Sequence, residues 1–324
     1  MKKLLSLVLA LALALSVAGC GAAPASDVTS APAESASASA PAQQEAVTLT
    51  DRAGNEFTLP QEVKTVISMA PSITHTLIDL GCKDKIVAVD TNSAATIPEV
   101  ANLPAFDMMT PDAEQMGALT PDLVLVSGIT MWDGSEPFKP LQEMGISFAA
   151  IPTSATVNDV YLDIEFVGAA MGMAEQAKAI NDRLKADLDA VAAKTAEIPE
   201  EERKTVYFEI AAAPDFYSTG AGTYLDELIT LAGGKNVMAD QQSWIGVSAE
   251  NIAAANPDVI FTNTNYIPDA VGALLSQEGW SQVTAIANRD VYYIDNMASS
   301  LPNENIIVAV EQMAQILYPD VFEK

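Results

Sequence analysis

The sequence predicts an α/β protein in which two pseudo-repeated lobes, each with a mainly parallel sheet, are joined by a long helical backbone. Residues 113–126 recur 136 positions later as residues 249–262. On either side of residues 157–195, which are charged and helix-favouring, short apolar runs alternate with helical stretches. Strands separated by helices form right-handed crossovers and parallel sheets, so each flank is predicted to be one lobe.

Each copy of the repeat describes the same small structural unit. A helix of about two turns opens at a glutamate, Glu114 or Glu250, and stops before a proline. The chain then passes through Pro-Asp into an apolar run short enough to be a buried strand. The spacing suits two similar lobes, because solenoid repeats have periods of roughly 20–50 residues.

The first residues predict export. Lys2 and Lys3 precede an apolar stretch, and small residues then lead to Cys20, a pattern that resembles the lipobox of bacterial lipoproteins. Residues 1–19 are therefore predicted to be a lipoprotein signal peptide and Cys20 the site of lipid attachment. The alternative is an ordinary signal peptide or a membrane anchor. Residues 20–46 are rich in Ala, Ser and Pro and predict a flexible tether.

Composition and charge narrow the possible functions. With 324 residues and 49% hydrophobic residues, the chain can fill the cores of two modest domains. A formal net charge of −27 argues against nucleic-acid binding, which needs a basic surface. The partners are expected to be neutral, cationic or locally basic.

The N-terminal lobe is predicted to span residues 47–156. Residues 47–50 and 56–59 alternate in character around a Gly-containing loop, as in a hairpin. Apolar runs predict further strands, and Gly81 and Gly145 end the helices between them. Beyond the repeat, strands are predicted at residues 66–69, 86–89 and 146–151, and helices at residues 73–80 and 136–144.

The helical backbone and the C-terminal lobe follow. Residues 174–194 keep apolar positions at helical spacing, and one helix of that length measures about 30 Å at 1.5 Å per residue. A helix of this length between the lobes is predicted to act as a strut rather than as a flexible hinge. The second lobe, residues 196–324, repeats the order of the first. Strands are predicted at residues 206–210 and 291–294, and helices at residues 224–232, 271–280 and 303–317.

Several of these segments together resemble a known class of substrate-binding proteins of ABC importers, which joins its lobes by a helical backbone. Members take iron-siderophore complexes, haem or cobalamin. The resemblance runs from about Val66 to the C-terminus. The matching pieces are residues 66–74, Leu80-Gly81, both Glu-to-Pro-Asp units, residues 222–228, residues 232–236 and Trp244 ahead of Glu250.

The resemblance implies that Glu114 and Glu250 meet arginines on a permease dimer that works with ATPase subunits. A like-signed pair on two pseudo-symmetric lobes can dock on a two-fold partner through bidentate guanidinium contacts. The alternative is that each glutamate only favours the positive end of its own helix. The receptor itself is expected to be a monomer, held by its lipid on the outer face of the cytoplasmic membrane.

The ligand is expected between the lobes, because open α/β sheets bind ligands beyond the carboxyl ends of their strands. Aromatic and methionine side chains give apolar contact, while amides and hydroxyls fix orientation. The predicted ligand-binding residues are Pro71, Ser72, Asn92, Ser127, Met131, Trp132, Phe216, Tyr217, Trp244, Asn263, Tyr266 and Met297.

Charged residues narrow the choice of ligand. The four arginines, Arg52, Arg183, Arg203 and Arg289, are too few near the cleft for a strongly anionic catecholate complex. A hydroxamate iron-siderophore or a corrinoid fits better, and haem stays open. His75, the only histidine, speaks against zinc and manganese receptors, whose sites need several imidazoles. Neither a protein-bound metal nor a cofactor is predicted.

Two other classes of function remain as alternatives. An exported enzyme on the same architecture lacks a Gly-x-Ser-x-Gly elbow and a His-Glu-x-x-His motif, and a Ser-His-acid triad would have to use His75. No catalytic residue is therefore predicted. A structural surface lipoprotein would bind no ligand at all.

Overall fold

A computed structural model describes residues 46–131 and 136–322. It confirms the predicted fold class, with two mainly parallel sheets joined by a helical backbone. The predicted signal peptide, Cys20, Trp132 and residues 20–45 of the tether lie outside the described residues. Within the described ranges, no helix combines the length and the apolar character needed to cross a membrane.

The N-terminal lobe is built on a five-stranded parallel sheet with strand order β5-β4-β3-β6-β7. An antiparallel hairpin precedes it. In chain order the elements are β1 (Val47–Thr50), β2 (Glu56–Leu59), β3 (Val66–Met69), α1 (Pro71–Asp79), β4 (Ile86–Asp90), α2 (Thr91–Thr96), β5 (Ala105–Phe106), α3 (Ala113–Ala118), β6 (Leu123–Ser127), α4 (Lys139–Glu143) and β7 (Phe148–Ile151).

The C-terminal lobe has a four-stranded parallel sheet with strand order β10-β8-β12-β13, and a small antiparallel pair, β9 with β11. Its elements are β8 (Thr205–Glu209), β9 (Tyr217–Thr219), α7 (Tyr224–Leu231), β10 (Lys235–Asn236), β11 (Trp244–Gly246), α8 (Ala249–Ala255), β12 (Val259–Thr262), α9 (Ala270–Leu275), α10 (Thr284–Asn288), β13 (Val291–Tyr293), α11 (Asn296–Ser300), α12 (Ile306–Leu317) and α13 (Pro319–Phe322).

The two helices α5 (Val157–Ala170) and α6 (Ala174–Thr195) form the backbone. They pack against each other as a hairpin that turns at Gly172, where φ is +70°. Helix α5 contacts α1 of the first lobe and α7 of the second, and α6 contacts α7 and α12. The 22 residues of α6 make it about 33 Å long. The strut is therefore two helices side by side.

The repeat occupies equivalent places in the two sheets. Its strands, β6 and β12, pair directly with the first strand of each sheet, β3 and β8. In the first copy the Asp122 carboxylate accepts hydrogen bonds from the Thr65 N–H at 2.9 Å and Oγ1 at 3.2 Å. In the second, Asp258 accepts from the Thr205 N–H at 2.8 Å and Oγ1 at 2.7 Å. The Pro-Asp dipeptide thus ties each repeat strand to its neighbour.

One apolar core continues from lobe to lobe. It includes Val66 and Leu123 of the first sheet, Ile164 of α5, and Val206 and Phe208 of the second sheet. Each lobe has a further core on the other face of its sheet. Burial of apolar side chains on both faces explains why the strands read as continuous apolar runs.

The N-terminal hairpin covers the edge of the first sheet. Asp51 accepts a hydrogen bond from the Ala150 N–H of edge strand β7 at 2.9 Å. Arg52 reaches α5, where its Nε lies 2.7 Å from Asp163 and its Nη2 lies 3.1 Å from Asp159. Covering an edge in this way prevents pairing with other chains.

Several boundaries differ from the sequence-based expectation. Helix α1 begins at Pro71 rather than after it, because proline fits the first helical position. Helices α4, α9 and α12 are shorter than predicted, and a two-residue strand, β5, was not predicted. The limits of 47–156, 157–195 and 196–324 assigned to lobes and backbone stay predictions.

Candidate functional site

A pocket of about 190 Å³ lies between the lobes, against the backbone. The first lobe contributes residues directly after the carboxyl ends of β3, β6 and β7, and helix α5 contributes one wall. Ser300, Leu301 and Pro302 close the pocket from the second lobe. The neighbouring strands β3 and β6 are where the strand order of the first sheet reverses, the position at which ligands bind in doubly wound sheets.

The start of α1 forms one side of this pocket. Ala70 precedes the helix in an extended conformation and its side chain provides no cap. The backbone N–H groups of Ser72 and Ile73 therefore have no acceptor among the described residues. Together with the hydroxyl groups of Ser72 and Ser127, they give the pocket hydrogen-bond donors beside an apolar surface.

Among the described residues that line the pocket, Asp163 is the one with a charged side chain. Its carboxylate is held by Arg52 at 2.7 Å and by the Ser154 hydroxyl at 2.6 Å. Burial raises the pKa of Asp163, and the hydrogen bonds from Ser154 and Arg52 partly oppose that rise. Because Arg52 neutralises this carboxylate within the fold, the wall presents little net charge to a ligand.

Three of the twelve predicted ligand residues line the pocket: Pro71, Ser72 and Ser127. Two hydrogen bonds support the pocket wall that the second lobe contributes. Asn263 is buried, and its Nδ2 donates to Ser299 Oγ and Ser300 Oγ, both at 3.0 Å. Asn263 thus lies behind the pocket wall rather than on its surface.

The aromatic residues of the second lobe have different roles. Phe216 is 5% exposed and stacks on Trp280 with ring centroids 5.4 Å apart, which places it in the core of that lobe. Trp244 packs edge-on against Tyr224 at 5.6 Å, and the Tyr224 hydroxyl donates to the Ser299 carbonyl. Trp244 therefore supports the wall indirectly.

Several exposed side chains follow the carboxyl ends of strands in the two lobes. Tyr217 and Tyr266, both predicted, are 39% and 65% exposed. They follow the carboxyl ends of β8 and β12, and Asn92 is exposed after β4. Met109, Ile129 and Tyr293, which were not among the predicted ligand residues, are also exposed apolar side chains at or after strand ends, and Ile129 lines the pocket.

Other predicted residues lie elsewhere. Met297 lines a second cavity, together with His75, rather than the pocket against the backbone. Only the backbone of Met131 is described, in a helical turn after β6. Ser300–Pro302 were also missed, although they follow the last strand, β13, as the predicted Met297 does. No sequence pattern pointed to Asp163 as a pocket residue, because it appears as a single charged residue within a predicted helix.

Glu114 and Glu250 occupy equivalent positions. Both are exposed in the first turn of a short helix, and neither forms an ion pair within the described part of the chain. Asp112 and Ser248 cap these helices. Each helix directly precedes a repeat strand, α3 before β6 and α8 before β12, so the two carboxylates occupy equivalent places in the two lobes.

A family model described as periplasmic binding protein matches residues 66–298. The ABC transporter substrate-binding lipoprotein YvrC of Bacillus subtilis is 32% identical over 279 residues, covering 86% of this chain and 87% of YvrC. A cobalamin-binding protein of Halobacterium salinarum is 24% identical, covering 84% of this chain and 74% of that protein.

The solved structures include a similar fold with a bound ligand. The molybdate-binding protein MolA of Haemophilus influenzae, bound to molybdate, superposes with a TM-score of 0.74 at 21% identity. The match covers 86% of this chain and 93% of MolA. At this level of identity the likeness concerns the fold.

Proposed function

The chain belongs to the periplasmic binding protein family, the substrate-binding proteins of ABC transporters, and we propose that it captures a metal chelate of the iron-siderophore type between its lobes. Proteins of this family bind small molecules and work with a membrane permease and its ATPase components; they are binding proteins, not enzymes. Our proposal concerns three further points: the nature of the ligand, the site that binds it and the route by which it reaches the permease.

The electrostatic character of the pocket carries the proposal for the ligand. Its lining combines apolar side chains with hydroxyl groups and includes no Lys, Arg or His among the described residues. The single carboxylate, Asp163, is already paired with Arg52. A multiply charged anion would lack cationic partners there. A neutral or weakly charged chelate with an apolar exterior is the better match.

The pocket volume adds a constraint. Sites for drug-sized ligands measure about 300–1,000 Å³, whereas this pocket encloses about 190 Å³. A large chelate would insert one arm into the pocket and lie with its body across the mouth. Met109, Ile129, Tyr217 and Tyr266 would then give the body apolar contact.

A corrinoid is the second candidate ligand. Tyr217, Tyr266 and Tyr293 are all exposed in segments at or after strand ends of the second lobe. Their rings offer broad contact to a large macrocycle, while the pocket accepts a side group. The cobalamin-binding relative supports this candidate.

Delivery to the permease is the second part of the proposal. Glu114 and Glu250, one on each lobe, are free to accept arginine contacts from a two-fold permease dimer. A monomeric receptor anchored through a lipid on Cys20 would hold them at the outer face of the cytoplasmic membrane. The lipoprotein name of the relative YvrC supports this location.

A titration with matched variants tests the ligand and the site. Ile129 and Met144 are similarly exposed, at 51% and 48%, but only Ile129 lines the pocket. Ile129→Arg should abolish the change in tryptophan fluorescence that a ferric hydroxamate or cobalamin produces, while Met144→Arg binds as the wild type does. Equal effects of the two variants would show that the ligand does not bind in this cleft. Saturable binding of molybdate by the wild type, in place of the chelates, would assign an oxyanion instead.

A further inference from the structure

The pocket against the backbone offers hydrogen-bonding groups of opposite kind on two of its walls. Ser300 lines it from the second lobe, and Asp163 lines it from helix α5. Most of the other lining residues are apolar, among them Ile73, Ile164 and Leu301. In such a pocket each polar group needs a partner on the ligand, because a buried polar group without one costs free energy. The directions of these two groups therefore restrict which ligand group fits.

A chain of hydrogen bonds fixes the role of the Ser300 hydroxyl. Ser299 Oγ donates its only proton to the Asp295 carbonyl at 2.7 Å. It can then only accept from Asn263, so the amide atom that lies 3.0 Å away is the nitrogen Nδ2. The second N–H of that nitrogen donates to Ser300 Oγ, also at 3.0 Å. Ser300 Oγ is therefore an acceptor within the protein and keeps its own proton for the ligand.

The proton of the Ser300 hydroxyl is available in the pocket. Ser300 is exposed, and its hydroxyl donates to no acceptor within residues 46–131 and 136–322. On the first lobe, the Ser72 hydroxyl also has no partner in the described part of the chain, so it can donate as well. An oxygen of the ligand that accepts hydrogen bonds can thus be held from both lobes.

Asp163 has the opposite function, that of a fixed acceptor. Its Oδ1 accepts from Arg52 Nε at 2.7 Å, and its Oδ2 accepts from Ser154 Oγ at 2.6 Å. Each carboxylate oxygen has two lone-pair sites, so one site on each oxygen stays available. The side chain is 10% exposed and lines the pocket. An N–H group of the ligand can therefore donate to Asp163.

Several small polar groups satisfy only part of this arrangement. An ammonium group only donates, so it would leave the Ser300 hydroxyl without an acceptor. A carboxylate only accepts, and it would bring a second negative charge to Asp163. A hydroxyl group donates a single proton, whereas an NH2 group can donate to both oxygens of Asp163. A primary carboxamide is neutral and carries both an acceptor oxygen and an NH2 group.

From this arrangement we propose that the pocket binds a primary carboxamide at the end of one arm of the ligand. The carbonyl oxygen of the carboxamide accepts hydrogen bonds from Ser300 and Ser72, and its NH2 group donates to Asp163. The inference rests on the proposed function, in which one arm of a chelate enters this pocket. It adds the chemical class of that arm, and it uses one group from each lobe and one from the backbone between them.

Nuclear magnetic resonance titration of the full chain with small probes tests the proposal without the chelate. We expect saturable binding of butyramide. Butyrate should bind at least about tenfold more weakly, because its charge meets that of Asp163. Butylammonium and 1-butanol should each bind at least about threefold more weakly than butyramide, because each leaves part of the hydrogen-bonding capacity of the pocket unused.

Two variants test the two walls separately. Ser300→Ala should weaken butyramide binding about three- to tenfold and leave the affinity for butylammonium unchanged. Ser281→Ala, at an exposed serine outside the pocket, is the matched control and should bind butyramide as the wild type does. Asp163→Asn removes the charge that repels butyrate, so the preference for butyramide over butyrate should fall at least about tenfold. A residue with only a structural role would not change this preference.

Three results would overturn the proposal: no saturable binding of butyramide, affinity of the wild type for butyrate or butylammonium equal to that for butyramide, or equal effects of Ser300→Ala and Ser281→Ala. If a chelate nevertheless binds and Ile129→Arg abolishes its binding, the proposed function stands and only the carboxamide is refuted. If no chelate binds but butyramide is preferred as expected, the proposed function fails and the carboxamide site remains.

Discussion

Arg52 joins three parts of the fold through one side chain. It lies in the loop of the N-terminal hairpin, forms ion pairs with Asp159 and Asp163 of α5, and thereby neutralises a carboxylate in the pocket wall. From the sequence it was one of four arginines with no obvious role. Its partners lie more than a hundred positions away, which no local pattern reveals.

Arg52→Ala should therefore lower both stability and ligand affinity. Removal leaves a buried Asp163 charge without its cation, and hydrogen bonds to charged groups contribute about 1.5–3 kcal/mol each. Chemical denaturation measures the free energy of unfolding. Arg183→Ala is the control, because Arg183 is 86% exposed and pairs only at the surface. Equal stability of the two variants would contradict this role for Arg52.

Glu304 gives the seam between the lobes a pH dependence. Burial, and then the nearby Asp79, raise the pKa of Glu304 from 4.5 to about 8, although a backbone hydrogen bond opposes the rise. The folded chain therefore holds a proton that the unfolded chain releases. As pH rises from about 4.5 to 8, stability falls, by at most about 1.4 kcal/mol per pH unit.

Thermal unfolding between pH 5 and about 8 measures this dependence of stability on pH. Glu304→Gln keeps a neutral group at the seam, so its stability should decline less with pH than that of the wild type. Glu278→Gln, at an exposed site, should follow the wild type. Parallel curves for the wild type and Glu304→Gln would show that Glu304 does not titrate in this range.

At the scale of elements, the Pro-Asp dipeptides are the best example of a sequence pattern with a physical meaning. Each aspartate accepts hydrogen bonds from a threonine at the start of the neighbouring strand: Thr65 lies just before β3, and Thr205 is the first residue of β8. Asp122→Ala and Asp258→Ala should each reduce the free energy of unfolding by about 1–3 kcal/mol. The double variant should be additive, because the sites lie in different lobes.

Denaturant titrations of the two single variants and the double variant provide the measurement. Asp240→Ala serves as control, because Asp240 is exposed and has no hydrogen bond or ion pair among the described residues. A loss in only one lobe would mean that the two copies of the repeat are not equivalent.

The sequence predicted most elements because their signals are local. Apolar runs, helix-ending glycines and the repeat identified both sheets and the helical backbone. It did not predict the roles of Phe216 and Trp244, because an aromatic residue after a strand can equally face the ligand or the core. Neighbours distant in the sequence decide this: Trp280 for Phe216 and Tyr224 for Trp244.

We expect the whole molecule to resist large movements of its lobes. The core runs without interruption through both sheets and the backbone, and α5 contacts helices of both lobes. Hinge closure needs a few residues that absorb large changes in φ and ψ. The radius of gyration from small-angle scattering should therefore change little when the ligand is added. A marked compaction would contradict the rigid backbone.

The proposed docking on the permease also involves the whole molecule, because it uses one glutamate from each lobe. Glu114→Ala and Glu250→Ala should leave ligand affinity unchanged and reduce uptake of the ligand by cells. The free energy of binding to the permease should fall by about 2–5 kcal/mol per site if the contact is buried. Lysine at either position should be worse, because like charges then oppose assembly. Normal uptake by the double alanine variant would refute docking, and weakened ligand binding would place the glutamates in the ligand site.

Native mass spectrometry of protein purified from its own host shows directly whether the cleft between the lobes holds a metal chelate. The wild type and Met144→Arg should retain an added mass with the isotope pattern of a metal, and Ile129→Arg should lose it. The same added mass in all three proteins would mean that the molecule does not bind in this cleft, and a retained molecule without a metal would rule out a metal chelate.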